Sequence, residues 1–119
     1  MKRLALFLFC ALCTSPVWAG GPEIMDVHIK KTGMVWRVDV TLNHPDTGWD
    51  HYADGWEVLD ANGNRLAYRE LLHPHVNEQP FTRSLSSVIF PDGTREVFVR
   101  AKCSVDGWAS QSVRVELKP

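Results

Sequence analysis

The chain has 119 residues, with 13 basic and 14 acidic side chains and a formal net charge of −1 at pH 7. Its length fits one domain, and a balanced charge without a basic cluster argues against nucleic-acid binding. Two of its three cysteines, Cys10 and Cys13, precede the body of the chain, so Cys103 alone would remain after N-terminal processing and no internal disulfide could form.

The N-terminal segment has the pattern of a secretory signal peptide. A basic pair, Lys2-Arg3, precedes an apolar run over residues 4–12, and small Ala19 provides a cleavage point. We therefore expect a signal peptide over residues 1–19, a single mature domain over residues 20–119, and a periplasmic or secreted location. The apolar run is too short to span a bilayer. Neither Cys10 nor Cys13 follows the small residue of a lipoprotein signal, so no membrane association is expected after cleavage.

Beyond the leader, apolar and polar residues alternate in short segments, which predicts β-strands. The predicted strands cover about residues 25–29, 36–42, 55–60, 65–71, 81–90, 97–103 and 113–117. An Asn62-Gly63 turn closes a hairpin between the third and fourth strands, and no segment has useful helical periodicity. Seven short strands in about 100 residues predict an all-β fold, an immunoglobulin-like seven-stranded antiparallel β-sandwich with Trp56 in its core.

Several side chains that bind transition metals fall at the ends of these strands. They are His44, His51, His73, His75 and Cys103, with the carboxylate of Asp106 beside them. If successive strands run up and down, the loops over residues 43–54, 72–80 and 104–108 meet at one pole. Imidazoles with one thiolate suit iron, copper or zinc, and an oxygen ligand would change the preferred metal. The pattern predicts a transition-metal site at this pole.

Each candidate ligand also has a purely structural explanation. Cys103 has the same strand parity as Val97 and Val99, which is typical of a buried core thiol. The histidines beside Pro45 and Pro74 could be turn residues. The sequence leaves both interpretations open for each residue, and the gathering of several histidines with the one thiol favours a metal.

Two segments resemble a known metalloprotein family. HPDTGWDHYADGWEV resembles the His-Pro to His-Tyr segment of desulfoferrodoxins and superoxide reductases, and AKCSVDGWAS resembles their Cys-x-x-His-Gly segment. Those proteins are immunoglobulin-like domains that hold a mononuclear iron with histidines and one thiolate. The resemblance implies that His44 and His51 are equatorial ligands and that Cys103 is the thiolate. An enzyme built this way would reduce superoxide by one electron.

The chain departs from that family at three places. Asp106 stands where the family has its second C-terminal ligand histidine, the His44 to His51 spacing is one residue longer, and no histidine precedes the first strand. His73 or His75, which lie in the neighbouring loop, could take the place of a missing ligand histidine. Catalysis and simple metal binding or carriage therefore both stay open.

A second resemblance implies a different function. NGNRLAYRELLHPHVNEQPF, with the earlier HPDTG, resembles the SoxZ-type subunits of the sulfur-carrying complex. Those subunits are non-enzymatic sandwich modules, and they usually lack a signal peptide of their own. This alternative implies a partner that is a periplasmic redox or sulfur-carrier protein, which would contact exposed aromatic residues around Trp49 and Trp108.

Overall fold

A computed structural model describes residues 21–118, so the predicted signal peptide over residues 1–19 lies outside the described residues. Within them the chain forms strands and no helix. The strands are β1 Glu23–Thr32, β2 Val35–Asn43, β3 Ala53–Leu59, β4 Arg65–Glu70, β5 Phe81–Val88, β6 Glu96–Cys103, β7 Gly107–Trp108 and β8 Val113–Glu116. The seven predicted strands are all present, and the two-residue β7 is an eighth. None of residues 21–118 belongs to a helix long and apolar enough to cross a bilayer.

The strands form two antiparallel sheets. The first has the order β1-β2-β5, and the second has the order β4-β3-β6 with β7 and β8 both pairing to β6. β7 pairs with the end of β6 at Cys103, whereas β8 pairs with its first half. The predicted fold class, an immunoglobulin-like antiparallel β-sandwich, is confirmed.

The core lies between the sheets, where alternate residues of the central strands point inward. Trp56 is completely buried, as predicted. It packs among residues that are also 0% exposed, namely Val38, Val40, Leu42, Val58, Val97, Val99 and Ala101. Fully burying a valine or leucine side chain contributes roughly 1.5–3 kcal/mol. The burial of these core side chains therefore holds the two sheets together.

Tight turns place the strands in register. In the β3–β4 hairpin the Asp60 carboxylate accepts the backbone N–H groups of Asn62 and Asn64, each at 2.9 Å. The Asn64 N–H group is the main reason why the pKa of Asp60 lies below its ordinary value. Gly63 has φ +84°, which an Asn-Gly turn requires and other side chains rarely adopt.

Strand pairing brings three connections to one end of the sandwich. Ala53 pairs with Cys103 across β3 and β6, and Gly55 pairs with Glu70 across β3 and β4. The 44–52 loop, the 71–80 loop and the 104–106 turn therefore lie together, and we call this end the loop pole.

Candidate metal centre

Three potential ligands from two separate segments of the chain meet at the loop pole. His44, His51 and Cys103 each offer one donor atom, and these atoms all lie within 4.8 Å of one another. His44 and Cys103 are buried, with 4% and 2% of their surface exposed, whereas 32% of the His51 side chain is exposed. The group therefore has two sides closed by protein and one edge open to solvent.

Cys103 is the last residue of β6 and continues its inward-facing row. Its thiol is free and buried, as a core cysteine would be, but its sulfur faces polar groups. The Sγ atom lies 3.4 Å from His51 Nε2, and it accepts the backbone N–H of Asp106 at 3.3 Å. The sulfur also donates to Asp106 Oδ2 at 3.4 Å, so it contacts three polar groups and is not enclosed by apolar core side chains alone.

His51 is held beside Cys103 by a small folded loop. The Thr47 N–H donates to the His51 carbonyl at 3.0 Å, and the His51 N–H donates to the Gly48 carbonyl at 3.2 Å. The next residue, Tyr52, forms two bonds with Ser104, one from its N–H to the hydroxyl at 3.1 Å and one from the Ser104 N–H to its carbonyl at 2.9 Å. These bonds fasten the 44–52 loop to the end of β6.

The His44 ring is oriented by a buried carboxylate. His44 Nδ1 lies 2.6 Å from Asp46 Oδ1. An ionised carboxylate only accepts hydrogen bonds, so the neutral imidazole must carry its proton on Nδ1 and leave the Nε2 lone pair free. The His44 and His51 rings pack edge to face, with 4.9 Å between their centroids. Sequence reasoning did not assign Asp46 to the site, although a carboxylate two residues after a candidate ligand was a usable signal.

Asp106 lies next to the three donors but outside the group. Its Oδ2 atom is 3.4 Å from Cys103 Sγ and 3.7 Å from His51 Nε2. The side chain is 45% exposed, and Asp106 is the last residue of the 104–106 turn, directly before Gly107 at φ +71°. Asp106 was predicted from the sequence as an oxygen ligand, and the structure places its carboxylate beside the open edge of the three-donor group.

His73 and His75 reach the same pole but form a separate pair, with 4.6 Å between their ring centroids. His75 is buried and stacks on Phe81 with 3.9 Å between centroids. Its Nε2 atom lies 2.7 Å from Arg83 Nη2, and since a guanidinium only donates, Nε2 is occupied as an acceptor. Burial, with the positive charge of Arg83 and the neighbouring His73, lowers the pKa of His75. In the described residues the three-donor group contains neither of them.

Comparison with known proteins gives a relative by sequence. No family model matches the chain. A protein of Halomicrobium mukohataei named "Putative lipoprotein" is 40% identical over 95 residues, which are 79% of this chain and 46% of the relative. The chain thus spans about half the length of the curated relative it matches.

Two solved structures share the fold. A hypothetical protein of Pyrococcus horikoshii OT3 has a TM-score of 0.56 and 14% identity, with 85% of this chain and 91% of that chain covered. The superoxide reductase of Nanoarchaeum equitans has a TM-score of 0.54 and 16% identity, with 83% of this chain and 93% of that chain covered. Identity at this level shows a common fold, in agreement with the first resemblance. Neither structure is named as a SoxZ-type subunit, so that resemblance gains no support.

Proposed function

We propose that this chain is an exported domain that binds one transition-metal ion, copper or iron, through His44, His51 and Cys103. The observation that carries the proposal is the position of their three donor atoms, which lie within 4.8 Å of one another. They come from the 44–52 loop and from the end of β6, so neighbouring positions in sequence do not explain the grouping.

The chemistry of the donor set supports a metal and favours copper. Two imidazoles with one thiolate form the trigonal set found in copper electron-transfer sites, and soft thiolates also stabilise the reduced ion. The Nε2 lone pair of His44 is free because Nδ1 carries the ring proton and donates it in a hydrogen bond to Asp46. The Asp106 N–H donates to the sulfur at 3.3 Å, and hydrogen bonds of this kind tune the redox potential of a thiolate-bound metal. Bound copper would supply one-electron transfer.

A superoxide-reductase-like iron site is the second candidate. It is supported by the thiolate at the end of β6, by the motif around His44 and His51, and by the fold shared with the Nanoarchaeum equitans enzyme. The group has two imidazoles, however, and Asp106 occupies the position of a further ligand histidine. Iron chemistry of this kind would therefore need the Asp106 carboxylate, or His73 or His75 after a rearrangement. The copper proposal needs no additional ligand.

Export is part of the proposal. The signal-like pattern over residues 1–19 supports it, and so does the name of the Halomicrobium mukohataei relative, "Putative lipoprotein". A periplasmic or secreted location would suit a redox partner outside the cytoplasm. Mass spectrometry of the exported product should give an N-terminus at Gly20, whereas a product that retains residues 1–19 would contradict this part.

The metal proposal is tested by titration of the metal-free domain. Copper(II) or iron should produce an intense thiolate-to-metal charge-transfer band at one equivalent, and Cys103→Ser should abolish the band while the strand-rich circular dichroism spectrum is kept. Zinc, which gives no such band in the visible range, serves as the control metal, and copper(II) should displace bound zinc because it binds such sites more tightly. If no first-row metal binds more tightly than about 10 μM, roughly 7 kcal/mol of binding free energy, the proposal is wrong.

A further inference from the structure

We infer that Asp46 is the positioning residue of the candidate metal centre, and that it couples the His44 ring to the 71–80 loop. The inference rests on the proposed metal-binding function. A positioning residue acts through a ligand, and Asp46 contacts the His44 ring, which would meet the metal through its opposite nitrogen.

The Asp46 side chain is a fully buried carboxylate with three donors. Its Oδ1 atom accepts from His44 Nδ1 at 2.6 Å and from the Ala53 N–H at 2.9 Å. Its Oδ2 atom accepts from the His75 N–H at 2.8 Å. Burying a charge is costly unless it is hydrogen-bonded or paired, so these three bonds explain how a carboxylate with 0% of its side chain exposed is tolerated.

The three donors belong to three different segments. His44 follows β2, Ala53 begins β3, and His75 lies in the 71–80 loop. One carboxylate thus fixes a proposed metal ligand relative to the central strand of one sheet and to a loop from another connection. Removing it would release the ring and the loop together.

A second side chain, that of Gln79, links the 44–52 loop to the 71–80 loop. The Gln79 side chain accepts the His44 N–H through Oε1 at 3.0 Å and donates through Nε2 to the His75 carbonyl at 2.9 Å. His44 is therefore held by the 71–80 loop at its backbone and, through Asp46, at its ring. Coupling is reciprocal, so if the ordered 71–80 loop strengthens metal binding at His44, metal binding stabilises that ordered loop by the same coupling free energy. Metal binding at His44 should thus stabilise the 71–80 loop.

An amide cannot replace this carboxylate. In Asp46→Asn one oxygen becomes an NH2 group, which must face either the His75 N–H or the His44 ring. In the first case two donors oppose each other, and in the second the amide donates to Nδ1 and moves the ring proton to Nε2. Loss of a partner that orients a ligand typically weakens metal affinity by about 10–100-fold, and we expect a loss in that range.

The first measurement needs no metal. Nitrogen-15 NMR of the metal-free wild-type domain at alkaline pH should show His44 as the Nδ1–H tautomer, and Asp46→Asn should shift it towards Nε2–H. An Nε2–H tautomer in the wild type would overturn the inference, whether or not the variant folds. Asp50→Asn is the matched control, because it removes an exposed carboxylate from the same loop and should leave the tautomer unchanged.

The second measurement uses copper(II) as the probe. We expect Asp46→Asn to raise the Kd by about 10–100-fold and Asp50→Asn to leave it within a factor of about two. Copper should also slow hydrogen exchange of the His75 amide in the wild type and not in Asp46→Asn. If the wild type binds no metal, the proposed function fails, while the tautomer still tests Asp46. If the wild type binds and Asp46→Asn binds equally well, the positioning role is wrong.

Discussion

The Nε2 atom of His51 lies 3.4 Å from the Sγ atom of Cys103, although 52 residues separate the two along the chain. Pairing of Ala53 with Cys103 across β3 and β6 causes this approach. Side chains alternate between the faces of a strand, so a slip of one residue would turn Cys103 away from His51. The candidate centre is therefore a consequence of sheet register.

The first prediction separates the ligands of the three-donor group from the other histidines at the loop pole. We expect His51→Ala to weaken copper binding by a factor of 100 or more, about 3 kcal/mol, because it removes one of three donors. His73→Ala should leave the Kd within a factor of about three, since the exposed His73 lies outside the group. Isothermal titration calorimetry measures both. Equal losses of copper affinity in the two variants would indicate that the metal binds closer to the 71–80 loop.

The sandwich could be predicted because apolar and polar residues alternate in the strands that contribute side chains to the core. β7 escaped prediction, since two residues contain no period. Glu57 is a clearer failure of pattern reasoning. It occupies an outward position between Trp56 and Val58 but is 2% exposed, because Arg65 and Arg100 cover it, each with a nitrogen 3.2 Å from its carboxylate. Parity predicts which face a side chain occupies, and it cannot predict what covers that face.

The loop pole could be predicted from strand direction, but its internal contacts could not. Up-and-down topology brings six candidate residues to one end without deciding which of them touch. Asp46 bonds to His44, and Arg83 occupies the His75 Nε2 atom. These contacts depend on loop conformations that are stabilised by specific side-chain hydrogen bonds, and sequence periodicity contains no signal for them.

The second prediction uses Asp106 to distinguish iron from copper. Asp106→His places an imidazole at the position where the superoxide reductase pattern has a ligand histidine, next to Cys103 Sγ. If the centre can hold iron, this variant should bind iron(II) at least about tenfold more tightly, roughly 1.4 kcal/mol. Copper affinity should change less, because the His2Cys set is already complete. Asp106→Asn is the control, and a gain in that variant as well would point to loss of the carboxylate charge as the cause.

The third prediction concerns the two tryptophans proposed from the sequence to meet a partner. The Trp108 ring contacts three cations, with Arg100 at 4.8 Å and Arg65 and Lys102 at 5.8 Å from its centroid. Each such contact contributes about 0.5–1 kcal/mol at exposed sites. We expect Trp108→Ala to lower the free energy of unfolding by about 1–3 kcal/mol. Trp49 is 68% exposed, so Trp49→Ala should lower the free energy of unfolding by less than about 1 kcal/mol. Urea unfolding compares them, and equal effects would contradict a structural role for Trp108.

The last prediction is a pH dependence of stability that comes from His75. Burial, with Arg83 and His73 nearby, lowers its pKa in the folded protein, and the carboxylates of Glu78 and Asp46 only partly oppose this. As the pH falls, the unfolded chain takes up the proton first. The stabilisation is therefore complete above the unfolded pKa of about 6.5 and is lost as the pH falls from there towards the lowered folded value. One proton contributes a slope of at most about 1.4 kcal/mol per pH unit.

His75→Phe tests this directly. The phenyl ring can keep the stack on Phe81, and it removes both the titration and the buried Nδ1 atom, which has no hydrogen-bond partner among the described residues. Leaving a buried donor unpaired costs about 1–3 kcal/mol, and removing it offsets the lost hydrogen bond from Arg83 to Nε2, so the variant should stay within about 1–2 kcal/mol of the wild type at pH 7. Urea unfolding of the metal-free domain between about pH 5 and 7 should give a smaller slope for His75→Phe. His28→Asn, which changes an exposed histidine of β1, should keep the wild-type slope. An unchanged slope in His75→Phe would mean that other groups cause the loss of stability in acid.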